Sequence, residues 1–407
     1  MPYTDNRLIL LTNTWPFDSG ENFLTEEAEY LSGRFSCVEV FPLYSTTGKK
    51  RDVPNNFNVH NPAVKKDLKN KGALLFQGIF STAPLLFALK EFFTEKAYRP
   101  GRLWNFFTAL LTFRASYPTL KRFGVSSSDM VYSYWGDKWA LSLPFIKEAT
   151  DCVTMARFHG SDLYEKAKGG YIPFRKRLFK TIDKIFTISG NGASYIKLRY
   201  GDFIRGELTV ARLGVKGCEQ NPTEISEALS IVSCSNAIPL KRLDLIAEAL
   251  QKADFPIQWT HIGSGPTLEK ISAMVESMPK NVTVSLLGQK SNEFVRDLYT
   301  KKHFDVFLNV STTEGVPVSI MEALAAGIPV IATDVGGTSE IVDSKVGELI
   351  NVNISADELL NILRNYYFSR AGLHSMRQNA ISRWDKLCNS EKNYKNFISE
   401  IYQTKQP

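Results

Sequence analysis

The feature that most restricts what this chain can fold into is a rhythm that occurs twice. Short runs of uninterrupted apolar residues alternate with amphipathic stretches. "RLILLTN", "VEVFPLY", "MVYSYW", "CVTMARFHG" and "KIFTIS" carry it in the first half. "LSIVSCSN", "IQWTHIGSG", "VTVSLLG", "DVFLNVS", "IPVIATD" and "GELIN" carry it in the second. A strand that is apolar at every position must be covered on both faces, which is the situation in parallel sheets flanked by helices. Segments such as "RLDLIAEALQKA" and "LEKISAMVESM" supply the helical pattern between strands. Two such series within 407 residues predict an α/β chain of two Rossmann-like domains facing across a cleft. The Gly- and Pro-containing stretch "ARLGVKGCEQNPTE" marks the boundary. The expected division is residues 1–214, residues 215–387, and a C-terminal helix over 388–407.

Hydrophobic residues make up 43% of the chain, enough for large cores. The five cysteines are isolated, and no CxxC spacing suggests a zinc site or a disulfide framework, which fits a reducing cytoplasm. Residues 1–6 are polar and "RLILLTN" is too short for a signal sequence, so it reads as a first buried strand. The net charge of +7 is concentrated: residues 44–125 hold 14 lysines and arginines against 4 acidic residues. The same region breaks the strand–helix rhythm. Its apolar run over residues 73–89 includes Gln77, Ser81, Thr82 and Pro84 and is short for a membrane span. A helical insertion over about residues 63–123 is expected instead. In "LWNFFTALLTF" only Asn105, Thr108 and Thr112 form a polar stripe. Such a helix is either buried or lies against lipid. Two readings stay open: the helices pack on the first domain with solvated lysines around them, or the segment makes peripheral contact with an anionic membrane at its cytoplasmic face. Nucleic acid is not expected as a partner, because the aromatics sit among Leu and Ala at helical spacing rather than among basic residues on a sheet.

The chemistry centres on "STTEGVPVSIMEALAAGIPVIATDVGG". Glu314 and Glu322 stand eight residues apart, with Gly315 and Pro317 between them. Those two residues disfavour one continuous helix, so Glu314 belongs to a loop and Glu322 to a helix starting near Val318. A carboxylate can accept two hydrogen bonds from a vicinal diol, such as a ribose or a hexose presents. A helix N-terminus between two carboxylates offers free N–H groups to a phosphate. Sugar, phosphate and ribose are the parts of a nucleotide-sugar. The plainer alternative is a turn-capping Glu314 and a solvated Glu322.

These residues resemble the E-x7-E segment of glycosyltransferase family four, the retaining GT-B enzymes also called glycosyl transferases group one. "IPLKRLDLIAEAL", "HIGSGPTLEKI", "LLGQKSNEFVRDLY" and "FDVFLNVS" follow the order of that family, and "RFHGSDLYE" resembles its His-Gly-x-Asp segment. "WPFDSGENFLTEEAEYL" resembles the opening loop of its polysaccharide-type members. The resemblance implies the GT-B fold, with the C-terminal helix returning to the N-terminal acceptor domain. It implies that Glu322 binds the donor ribose and that Glu314 contacts the transferred sugar. Gly315, Val316, Pro317 and Val318 would meet sugar hydroxyls and the diphosphate. Lys241 would neutralise that diphosphate as it leaves, and His159 would face the sugar. Arg242, Gly263 and Gln289 fall in matching donor-site segments. Gly20 would let the first loop approach the phosphates, or it is an ordinary turn glycine.

One departure stands out. The family usually places an arginine five residues before the lysine, and here that residue is Asn236. An amide donates a hydrogen bond without charge, so Arg242 or Arg212 would have to substitute, or the diphosphate is held more loosely. The glycines of "HIGSGP" lack the third glycine of a dinucleotide fingerprint and follow the wrong strand for one. The expectation is a retaining, metal-independent glycosyltransferase with no cofactor, in cell-surface polysaccharide or glycolipid biosynthesis. It would take a UDP- or GDP-sugar donor and a saccharide or lipid-linked saccharide acceptor. The rival is a non-catalytic nucleotide-sugar-binding subunit, which Asn236 makes conceivable.

Overall fold

The structure, a computed structural model, describes residues 4–17, 21–44, 48–64, 78–79, 81–224 and 226–402. Two compact units emerge: Met1–Arg212 with Tyr394–Pro407, and Leu213–Asn393. Each is built on one parallel sheet covered by helices. The fold is GT-B, with two Rossmann-like domains.

The first sheet has seven strands: β1 (Thr4–Thr12), β2 (Phe35–Pro42), β3 (Phe57–Val59), β4 (Met130–Ser133), β5 (Val153–Phe158), β6 (Lys184–Thr187) and β7 (Glu207–Val210). Their order is β3-β2-β1-β4-β5-β6-β7. The apolar run of β1 feeds both faces, as a period of two requires. Leu8 and Leu10 join a core with Trp15, Leu24 and Phe35, whereas Ile9 and Leu11 join the opposite core with Phe113 and Leu120. The sequence pattern misses β3 and β7. Both are short edge strands with little burial beyond Phe57, so they lack the continuous apolar signature of the central strands.

The second sheet has six strands: β8 (Leu229–Cys234), β9 (Ile257–Ile262), β10 (Val282–Leu286), β11 (Val306–Asn309), β12 (Val330–Thr333) and β13 (Gly347–Ile350). The order is β10-β9-β8-β11-β12-β13, all parallel. In each sheet the order reverses at one place, between β1 and β4 in the first and between β8 and β11 in the second. Open parallel sheets bind ligands at the carboxyl ends of the strands at such a reversal, because adjacent connections leave there toward opposite faces.

Within the basic, apolar region the described residues hold two helices, Leu86–Thr94 and Leu103–Phe123. Residues 65–77 and 80, which include much of the apolar run over 73–89, lie outside the described residues. The long helix buries Phe106, Leu110, Phe113 and Leu120 in the first unit's core. Its Arg114 is buried and gathers preceding carbonyls, donating to those of Gly78 (2.7 Å), Ser81 (2.6 Å) and Ala83 (2.6 Å). Among the described residues no helix is long and apolar enough to cross a membrane.

The C-terminal helix Ser390–Tyr402 delivers Phe397, Ile398 and Ile401 to the first unit's core. Beneath it lies a buried ion pair. Arg157 Nη1 on β5 meets Glu27 Oε2 at 2.6 Å, and both side chains are fully enclosed. Tyr132 Oη donates to Glu27 (3.1 Å), Arg157 Nη2 donates to the carbonyl of Ala211 (2.6 Å), and the guanidinium lies over Phe397. This cluster ties the helix Asn22–Ser32, β4, β5 and the returning helix together. Removing one partner strands a charge in an apolar interior. Arg157→Leu is therefore expected to destabilise the protein by roughly 3–5 kcal/mol. Chemical unfolding of the variant against the wild type measures it, and a change under about 1 kcal/mol contradicts this account.

Candidate functional site

In the second unit, the loops after β8 and β11 stand side by side at the strand-order reversal. Lys241 ends a short 3-10 turn, Pro239–Lys241, and Glu314 lies five residues beyond β11. Lys241 Nζ lies 2.5 Å from Glu314 Oε1, and Asn309 Nδ2 donates to the same oxygen at 3.2 Å. The two side chains are mostly covered, at 22% and 11% exposure, so they form a localised charge pair rather than a solvated one. Immediately after Glu314 the helix Val318–Ala325 begins. Pro317 at its N-cap has no side-chain acceptor, so no side chain caps that terminus.

Close backbone approaches hold these loops. Gly336 has φ +58°, and a Cβ built on it would lie 1.8 Å from the Glu314 carbonyl oxygen. Gly337 N donates to the Gly315 carbonyl at 2.6 Å. Gly263 and Gly265, at φ +142° and +154°, press on the carbonyls of Ser235 and Ala237 in the β8 loop. Gly263 N also donates to the carbonyl of Gly288, next to Gln289, whose Oε1 lies 3.5 Å from Ser264 Oγ. The glycines of "HIGSGP" and "DVGG" therefore let neighbouring loops stack directly, which a side chain would prevent.

Glu322 is buried, at 8% exposure, which argues against a solvated helix residue. It sits near Cys234 at the end of β8. Burial pushes the Cys234 thiol up to about 12, with the charge of Glu322 adding to the rise and Lys241 opposing it. Glu322, Lys241 and Glu314 thus share one neighbourhood. Arg242 takes another role. With φ +48°, it directs Nε to the carbonyl of Val310 (2.6 Å) and Nη1 to that of Val352 (2.5 Å), pinning the β11 loop and the chain after β13. Its guanidinium is thereby committed to backbone carbonyls. Asn236 is exposed on the β8 loop.

In the first unit, His159 follows β5 and is buried against Trp135 and Tyr134, with ring centroids 4.4 and 4.8 Å away. Both of its ring nitrogens lack a hydrogen-bond partner among the described residues. Asp162 positions this loop: it accepts from the amides of His159 (2.8 Å) and Gly136 (2.7 Å). Burial opposes its ionisation, but His159 and these amides outweigh that and hold the carboxyl below its usual range. Gly20 lies outside the described residues. Its neighbour Glu21 accepts from the amides of Asn13, Thr14 and Trp15 and from Trp135 Nε1 (2.6 Å), joining the loops after β1 and β4. The motif reading misses Glu21 and the positioning roles of Asp162 and Asn309: the first two act through distant contacts to Trp135 and Gly136, and Asn309 through Glu314, five residues on, which only the loop's folding brings back to it. A cavity of about 270 Å³ lies close by, lined by the polar Asn105, Thr108, Thr112, Asp137 and Arg175 and by the apolar Ala109, Leu141, Ile172 and Leu178. The polar stripe of that helix thus faces a cavity inside the unit.

Known proteins resemble this chain in sequence and in fold. Residues 219–383 match the family model described as glycosyl transferases group 1. The putative colanic acid biosynthesis glycosyltransferase of Escherichia coli K12 is 29% identical over 210 residues, 48% of this chain and 51% of that protein. The poly(ribitol-phosphate) alpha-N-acetylglucosaminyltransferase of Staphylococcus aureus is 29% identical over 160 residues, 37% of this chain and 31% of that protein. The matched part thus spans about half, or less, of these relatives. Among solved structures, the Anabaena HepE complex with UDP superposes with a TM-score of 0.66 at 15% identity, covering 98% of this chain and 100% of that one. Sucrose-phosphate synthase of Thermosynechococcus elongatus gives 0.69 at 14% identity, covering 98% of each chain.

Two consequences can be measured. Gly336→Ala adds a Cβ against the Glu314 carbonyl at a positive φ, so it should cost at least about 1–3 kcal/mol. An unchanged melting temperature contradicts the close approach. His261, buried at the end of β9, has its imidazole pushed down to about 4 by burial. An unfolded chain takes up this proton near pH 6.5, whereas the folded one resists until about pH 4. Stability should therefore fall as pH drops through that window, by on the order of 3 kcal/mol. Urea unfolding at several pH values should show a shallower acid slope for His261→Asn than for the wild type.

Proposed function

We propose that this chain, whose residues 219–383 match the glycosyl transferases group 1 family, is a retaining glycosyltransferase. It moves a sugar from a nucleotide-diphosphate sugar to an acceptor hydroxyl in the making of a cell-surface polysaccharide or glycolipid. The observation that carries this reading is the Lys241–Glu314 pair at the strand-order reversal, beside an uncapped helix N-terminus and the buried Glu322. The helix amides and Lys241 suit a diphosphate. Glu322 suits the ribose diol, and Glu314, held by Asn309 and Lys241, suits a hydroxyl of the transferred sugar.

In this reading, negative charge grows on the diphosphate as the glycosidic bond to it breaks. Lys241, fixed beside the helix terminus by Glu314, and the helix-terminal amides stabilise that charge. The acceptor hydroxyl attacks on the face the diphosphate leaves, its proton passes to a leaving phosphate oxygen, and configuration is retained. This needs neither a covalent carboxylate nor a metal ion. UDP is the first base to test, since the Anabaena neighbour is described with UDP, and GDP-sugars form the second arm. The cavity of the first unit, with amide, hydroxyl and carboxyl groups set among apolar side chains, suits a saccharide or lipid-linked saccharide acceptor. A non-catalytic nucleotide-sugar-binding subunit is the second reading, favoured by the uncharged Asn236.

Transfer or hydrolysis measured across UDP- and GDP-sugars separates the two, since binding without turnover of any donor selects the second. For the enzyme, Lys241→Ala should depress kcat more than it raises KM, because its charge matters most as the diphosphate departs. Glu322→Ala should weaken nucleotide binding about ten- to a hundredfold. Wild-type affinity in the Glu322 variant rules out the ribose assignment.

A further inference from the structure

Large apolar side chains are exposed in one region far more than elsewhere. Of thirteen such residues recorded as exposed among the described residues, nine fall between Ile79 and Phe107. They are therefore a patch rather than the scatter expected of any surface. Helix Leu86–Thr94 turns Leu86 (82% exposed), Leu89 (56%) and Phe93 (66%) outward at spacings of three and four, one stripe of a helix. Its other face, with Phe87, Ala88 and Phe92, packs on the core. The first turns of helix Leu103–Phe123 expose Trp104 (62%) and Phe107 (45%). The two stripes meet through edge-to-face ring contacts. Phe93 touches Phe92, Phe92 packs on Phe106 at 5.4 Å, and Phe106 touches Phe107. Tyr98, half exposed, packs on Phe92 between them.

The charges around the patch are sorted by sign. Both acidic residues of the segment turn into the unit. Glu91 accepts from Tyr171 Oη (2.8 Å) and the Phe174 amide (2.7 Å), and Glu95 pairs with Lys176 at 2.8 Å. Lys90, Lys96 and Arg99 are exposed and make no ion pair among the described residues. An outward apolar stripe with tryptophan and tyrosine, rimmed by cations whose nearby acids are neutralised, matches a bilayer interface carrying negative lipid. A protein partner that only matched the apolar stripe would leave those cations unexplained.

We propose that this face of the first unit docks on an anionic lipid bilayer. The helix Leu86–Thr94 lies in the membrane plane with its outward stripe in the acyl boundary, and Lys90, Lys96 and Arg99 meet lipid phosphates. A nine-residue helix is far too short to span, so the attachment is peripheral. The inference stands on this surface alone, whichever reaction the second unit supports.

Co-sedimentation of the full chain with vesicles tests it without any activity measurement. The wild type should pellet at low salt with phosphatidylcholine vesicles containing phosphatidylglycerol, and should be released by high salt. Lys90→Glu, Lys96→Glu and Arg99→Glu together should lower partitioning by on the order of a hundredfold. Leu86→Ser, Leu89→Ser and Phe93→Ser together should abolish pelleting while leaving the melting temperature intact, since all three side chains are exposed. Wild-type protein that stays in the supernatant at low salt overturns the proposal, and so does a serine triple variant that pellets like the wild type. Sedimentation without lipid provides the remaining arm. A dimer that the serine substitutions dissociate means that a second copy covers the face, which also overturns the proposal.

Discussion

Backbone pressed against backbone at the carboxyl edge of the second sheet is the constraint from which the site in that unit follows. Parallel strands send all their outgoing loops to one edge, and at the reversal between β8 and β11 two of those loops run together. Each is backed by a glycine loop: Gly263 and Gly265, after β9, sit on the carbonyls of Ser235 and Ala237, and Gly336, after β12, sits on that of Glu314. The Lys241–Glu314 pair joins the two loops, together with the Thr312 amide donating to the Leu240 carbonyl at 2.9 Å. It places a cation and a carboxylate beside an uncapped helix terminus, a combination suited to a ligand with both phosphate and hydroxyls.

Arg242 shows how the same architecture reassigns residue roles. A charge next to Lys241 invites a phosphate-binding role, yet its left-handed backbone turns the guanidinium to the carbonyls of Val310 and Val352. The first unit uses arginine in a similar way. Arg157 satisfies Glu27 and the Ala211 carbonyl inside the core, and Arg114 collects four carbonyls from the chain before its helix. Planar, multiply donating guanidinium groups are good at closing such irregular backbone. These arginines are internal ties, in contrast to Lys90, Lys96 and Arg99, which stay exposed on the insertion.

Much of the fold was legible because buried parallel strands write an unusually plain signal. All six strands of the second sheet correspond to apolar runs in the sequence, whereas β3 and β7 of the first do not, being short edges with partial burial. The insertion was legible as helical and as basic, but not in its orientation. Asn105, Thr108 and Thr112 looked like the only wet face of a greasy helix; they line a cavity inside the unit, while Trp104 and Phe107 face out. Periodicity gives the angle between two side chains on a helix and is silent on which of them meets the sheet.

The sequence by itself determined the fold class, the order of the loops and the residue types in each. Those follow from local periodicity, from the Gly- and Pro-containing breaks between apolar runs and from a motif whose spacing is short. Only the tertiary structure decided that Lys241 reaches Glu314, that Glu322 is buried near Cys234, and that Asp162 and Glu21 hold the loops of the first unit. It also decided that Glu91 and Glu95 turn inward and leave their neighbouring cations outside. The reason is physical: such pairings join residues tens of positions apart, and their distances are set by the packing of whole sheets and helices, which no local pattern encodes.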